Sequence, residues 1–169
     1  MTVPPDQSLA EFIVHAHALK CESEEQMEMC AASLRAHNNP AAADVFHSLS
    51  QMVGQSIKDI EAMAAGLELP QIAPWDFHWH LIDDSRCTDE AHYLMSERNA
   101  LELAQRNEQR AMTYFQHIAE VATDNAVREM AERLHDHEQR FSRYIEQRLQ
   151  QLEQDAGHHA DLDPANTPE

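Results

Sequence analysis

Apolar residues return every three to four positions through four long stretches of this chain, the spacing of one face of an α-helix. The first stretch runs from about Ser8 to Ala36 and stops at His37-Asn38-Asn39-Pro40, where Asn39 is placed to cap, and Pro40 to open, a second helix. That second helix ends near Gly66. A connection of about 20 residues follows, LELPQIAPWDFHWHLIDDSRC, too long for a hairpin between neighbours and suited to a crossover along a bundle. The third helix is predicted from Ser96 to about Ala122, and Asp124 is placed to cap a fourth that reaches about Asp155. The polar tail DAGHHADLDPANTPE is expected to be disordered, which gives a bundle over 1–156 and a tail over 157–169.

Two hairpins joined by a long connection make an all-α, antiparallel four-helix bundle the expected fold, and its inward stripes the place to look for chemistry. The first helix offers Ile13, Ala16, Lys20, Ser23, Met27, Cys30 and Leu34; the second offers Phe46, Leu49, Val53, Ser56, Ile60 and Met63. The third offers Leu101, Ala104, Glu108, Ala111, Phe115, Ile118 and Ala122; the fourth offers Val127, Ala131, Leu134, Glu138, Phe141, Ile145 and Leu152. Three charged residues interrupt these stripes. Counting outward equally from a turn at 123–124 brings Glu108 level with the residue after Glu138, and counting from a turn at 38–39 brings Lys20 level with the residue after Ser56. Two carboxylates and one ammonium therefore meet mid-bundle, with Lys20 holding both carboxylates ionised. The alternative is that these side chains turn to the flank and reach water. Burying an unpaired charge is costly, so three interruptions at matching heights favour the core triad.

Composition narrows the setting. The 169 residues carry 43% hydrophobic content and only three glycines, enough for one helical domain with a sizeable core. A formal net charge of -18 argues against nucleic acid or an anionic membrane surface, both of which need clustered Lys and Arg. Cys21, Cys30 and Cys87 form an odd set without Cys-x-x-Cys spacing, so neither a disulfide framework nor a thiolate knuckle is indicated and a reducing cytoplasmic setting is expected. No apolar run approaches the roughly 18 residues of a membrane span.

Taken with the segments ALELAQRNEQRAMTYFQHIAE, AVREMAERLHDHEQRF and AHNNPAAADVFHSL, this connectivity resembles the ferritin-like superfamily over nearly the whole chain, and specifically its rubrerythrin-related members. The resemblance implies a core site for two irons, built from Glu on the first helix, Glu-x-x-His on the second, Glu on the third and Glu-x-x-His on the fourth, and with it non-haem iron oxidase or peroxidase chemistry. Carried onto this chain, the third-helix Glu falls on Glu108 and the fourth-helix Glu on Glu138. The remaining positions depart from the pattern: Lys20 stands for the first Glu, Val53 and Ser56 for Glu-x-x-His, and Phe141 for the second His. The cysteine-rich rubredoxin module of full rubrerythrins is expected to be lacking as well. Two carboxylates without imidazoles do not hold a di-iron centre, so the pseudo-site of Lys20, Val53, Ser56, Glu108, Glu138 and Phe141 is read as metal-free, the Lys20 ammonium supplying the charge a metal would supply. A non-catalytic scaffold or binding protein is expected, with no cofactor and an unidentified protein or small-ligand partner. A homodimer through helix faces is expected too.

The rival reading keeps iron or another divalent metal through relocated ligands. His15 with His17, and His135 with His137, lie two apart and point to different helix faces, so neither pair chelates, and most of the twelve histidines are expected at the surface. His137 flanks Glu138, and with Glu108 and His17 it gives an alternative metal set. Phe77-His78-Trp79-His80 is expected to pack its aromatics rather than bind metal, and His158 and His159 to bind metal loosely at most. Met27, Met52, Met63, Met112 and Met130 are read as adaptable core packing.

Overall fold

In a computed structural model the described residues are 7–77 and 94–161, with side chains described through 156. They form four long helices: α1 (Leu9–Ala36), α2 (Pro40–Ala64), α3 (Glu97–Val121) and α4 (Asn125–Asp161), with one 3-10 turn at Pro74–Asp76 on the crossover. Helices α1 and α2 pack as one hairpin and α3 and α4 as another, with fewer contacts between the hairpins than within them. This is the antiparallel bundle with one long crossover that the pattern predicts.

Each helix starts where the sequence supplies a partner for its free N–H groups. Ser8 opens α1 with a capping box, its hydroxyl accepting from Glu11 N at 3.3 Å while Glu11 Oε2 accepts from Ser8 N at 3.0 Å. Ser96 and Asn99 repeat the arrangement at α3, and Asp124 Oδ1 accepts from Ala126 N at 2.8 Å before α4. Between α1 and α2, Asn38 takes a left-handed conformation (φ 59°), which asparagine tolerates better than most residues. Asn39 N then bonds back to Leu34 O at 2.9 Å and Asn38 N to Arg35 O at 3.1 Å, closing a Schellman turn. Asn39 also accepts from Ala42 N through Oδ1 (3.3 Å) and donates through Nδ2 to Met95 O (2.8 Å), so one side chain caps α2 and ties the turn to the segment leading into α3.

All seven α1 stripe residues are buried, as are all seven of α3. On α2 and α4 only the last positions, Met63 and Leu152, are half-buried. Two apolar clusters result, one centred on Leu34, Phe46, Leu49 and Leu101 and the other on Phe12, Phe115, Ile118 and Leu134. Lys20, Glu108 and Glu138 belong to neither.

Two local expectations change. Helix α4 runs six residues past its expected end at Asp155, through Asp161. Gly157 disfavours helix by only about 1 kcal/mol, and the first proline comes at Pro164. His15 departs from the surface position expected of most histidines: it is buried and sets its ring edge against Phe77, with centroids 5.3 Å apart. Trp75 is exposed. His78, Trp79, His80 and Cys87, the side chains of His158 and His159, and the end of the tail lie outside the described residues. No helix among the described residues is long and apolar enough to cross a membrane.

Candidate functional site

Between the two apolar clusters Lys20 Nζ donates to Glu108 Oε2 at 2.6 Å and to Glu138 Oε1 at 2.8 Å. The lysine comes from α1 and the two glutamates from α3 and α4, so the ammonium spans the interface between the hairpins. Lys20 is 1% exposed, Glu108 4% and Glu138 2%, among the most enclosed charged groups in the chain. Ser23, one turn beyond Lys20, donates its hydroxyl to Glu108 Oε1. Both Glu108 oxygens therefore have partners, whereas Glu138 Oε2 is buried with none among the described residues.

That asymmetry sets the protonation states. Burial alone would push the Lys20 ammonium down, but the attraction of Glu108 and then Glu138 outweighs it and carries the group well above the ordinary lysine value. Burial likewise opposes ionisation of Glu108, yet Lys20 and Ser23 hold it below the usual glutamate range. For Glu138 burial wins: with Glu108 repelling it, its carboxyl is pushed up to about 8 despite Lys20. One ammonium thus balances one carboxylate, and at neutral pH Glu138 is mostly the neutral acid. The expectation that Lys20 keeps both carboxylates ionised is corrected here, because a single buried cation does not compensate two buried anions that also repel each other.

The other pseudo-site residues flank this set. A cavity of about 250 Å³ runs between α2 and α4, walled by Met52, Val53 and Phe141 on the apolar side and by Ser56, His137 and Asp59 on the polar side, with Lys20 and Glu138 at its inner end. It reaches the surface beside Asp59 and Arg140. His137 Nδ1 sits 3.3 Å from Ser56 Oγ, and Nε2 lies 3.9 Å from Asp59 Oδ2. Burial lowers the His137 pKa, helped by Arg140, so the ring is neutral at pH 7. His17 is elsewhere: on the flank of α1, its Nε2 lies 3.2 Å from Glu61 Oε1 and its ring contacts the Cys21 thiol. The structure therefore brings together Lys20, Val53, Ser56, Glu108, Glu138 and Phe141, with His137 at the edge, and leaves His17 out. Sequence reading counted Ser23 as a stripe residue but missed its hydrogen bond; its place one turn after Lys20 on the same face was the available signal.

No protein-family model matches the chain, and no curated protein does. Among solved structures it is similar to COG1633, an uncharacterized conserved protein from Magnetospirillum magnetotacticum, with 30% identity over 86% of this chain and 95% of that one and a TM-score of 0.67. The chain belongs to the COG1633 family. Its fold is ferritin-like, in line with the resemblance read from the sequence.

In this COG1633 chain the residues do not fit the paired-iron centre that the ferritin-like fold elsewhere implies. The point between Glu108 and Glu138 is taken by the Lys20 ammonium, within 2.8 Å of both carboxyls. Val53 and Phe141 present only carbon, and Ser56 turns its hydroxyl to His137. Among the described residues no three His, Cys, Asp or Glu side chains are arranged to hold one metal ion.

Proposed function

We propose that this chain is a rubrerythrin-related bundle whose di-iron site has been replaced by an internal ion set, and that it acts as a non-catalytic binding or scaffold protein. The observation that carries the reading is the Lys20 ammonium bonded to both inward glutamates, where a cation of the protein's own takes the place of a metal between them. Apolar substitution at Val53 and Phe141 supports it, since neither change leaves a donor atom for a metal to recover. The test is metal analysis of the purified chain before and after chelation. Less than about 0.1 equivalent of iron, zinc or manganese is expected; near-stoichiometric metal that survives chelation overturns the reading. We also propose a homodimer through exposed helix faces, for which light scattering across a concentration series is the check. A mass of one chain at every concentration refutes it.

A further inference from the structure

The central ion set balances only while Glu138 keeps its proton, and falls one positive charge short once that carboxyl ionises. It holds two carboxyls and one ammonium, and among the described residues Glu138 Oε2 is buried without a hydrogen-bond partner although the group sits at the inner end of a cavity open to the surface. Facing Glu138 are Lys20 from α1 and Glu108 from α3; along the cavity stand Asp59 from α2 and His137 and Arg140 from α4. With both glutamates ionised and His137 neutral, three negative groups face two positive ones. We propose that this cavity binds a small organic cation, a primary ammonium on a short apolar stem, which supplies the missing charge at Glu138. This rests on the metal-free reading of the same centre.

The cavity suits that ligand in size, polarity and field. At roughly 30 Å³ for each water in the liquid, its volume of about 250 Å³ accommodates a ligand of about eight non-hydrogen atoms at most. Met52, Val53 and Phe141 cover the stem, while Ser56 and Asp59 accept from further N–H groups. An anion of the same size would meet Asp59 and Glu138 inside a chain of formal net charge -18. Binding requires Glu138 to give up its proton, so affinity is linked to pH: below a pKa of about 8 each pH unit weakens a cation by up to tenfold.

The test is titration calorimetry of the full chain with n-butylammonium chloride at pH 9 and pH 6, with sodium butyrate and tetramethylammonium chloride as controls. One saturable site is expected at pH 9, on the order of a hundredfold weaker at pH 6. Butyrate, which carries the wrong charge, and tetramethylammonium, which has no N–H, should bind at least tenfold more weakly. Glu138→Gln should abolish the site while keeping the shape of the neutral acid. Met52→Trp, which plugs the apolar wall without touching the ion set, should abolish it too. No saturable site at pH 9, equal affinity at both pH values, equal binding of butyrate, or unchanged affinity in the folded variants each overturns the inference. Metal analysis of the same stock separates the two failures. A metal-free chain that ignores the amine refutes only this inference, whereas tightly held metal removes the proposed function and the cation site together.

Discussion

Lys20→Met keeps roughly the length and apolar stem of the side chain while deleting the charge that lies 2.6 Å from Glu108 and 2.8 Å from Glu138. In the native chain the Glu138 carboxyl is pushed up to about 8, against an ordinary glutamate value of 4.5, so the folded state holds a proton that the unfolded state has released between those values. The stability it contributes is complete below about pH 4.5 and is lost as pH rises through 8. At about 1.4 kcal/mol per pH unit, this makes the native protein less stable at pH 7.5 than at pH 5 by about 3 kcal/mol. In the variant Glu108 also loses its ammonium and must either stay ionised without compensation or take up a second proton. A second raised carboxyl doubles the number of protons at stake. The variant should therefore lie close to the native protein at pH 5, where two neutral acids can share a hydrogen bond, and fall below it by about 3–5 kcal/mol at pH 7.5, the usual cost of breaking a buried ion set. Guanidinium melts of both proteins at the two pH values decide it. A penalty below about 1 kcal/mol at both, or one that does not grow with pH, would show that Lys20 does not control Glu108.

Three further outcomes follow from the geometry. Phe141→His alone should recruit no iron by metal analysis, because Lys20 still holds the centre and Val53 supplies no ligand, whereas Glu at 20 and 53 with His at 56 and 141 should recruit it; iron bound by the single variant would defeat the charge-replacement reading. Gly54→Ala should stabilise α2 by about 0.5–1 kcal/mol, since the added carbon meets only the movable end of Glu24, 2.6 Å from its Oε1; a lower melting temperature would mean that Glu24 cannot give way. Asn39→Ala removes the α2 cap and the bond to Met95 O and should cost about 1–2 kcal/mol in a denaturant melt, with a smaller loss counting against the tie to α3.

Helix order and the inward stripes were legible in the sequence because both follow from local rules: a 3.6-residue period, capping residues at the starts, and a long connection that forbids a hairpin. Register counting from the two turns was enough to set Glu108 against Glu138 and to bring Lys20 toward them, since antiparallel helices carry that geometry in their numbering. What the sequence did not carry was the balance of forces at the centre. Whether one ammonium keeps two carboxylates ionised depends on how completely water is excluded and on which oxygens find partners, and Ser23 settles Glu108 while Glu138 Oε2 has no hydrogen-bond partner among the described residues. The burial of His15 was equally illegible, because it depends on Phe77 returning from the crossover to cover it. His17, three residues before Lys20, lies on the flank of the same face, where its ring meets Glu61 of α2 rather than the central carboxyls.

The division of labour between the hairpins has a kinetic consequence. Each hairpin carries most of its packing within itself, but the central charges are split, with the cation on α1 and both carboxyls on the α3–α4 side. While the halves are apart, all three groups keep their water, and nothing at the centre favours assembly. Only one sliding position brings Lys20 level with both glutamates; a slip of one helical turn, about 5.4 Å, would bury each charge against carbon. The ion set thus acts as an indexing pin, formed only when the hairpins dock and intolerant of a wrong fit. Contacts that form after the folding barrier govern how fast a protein comes apart rather than how fast it assembles. Lys20→Met should accordingly steepen the escape from the native state, raising the unfolding rate in stopped-flow chevrons far more than it slows folding, and should let the two halves settle in more than one alignment.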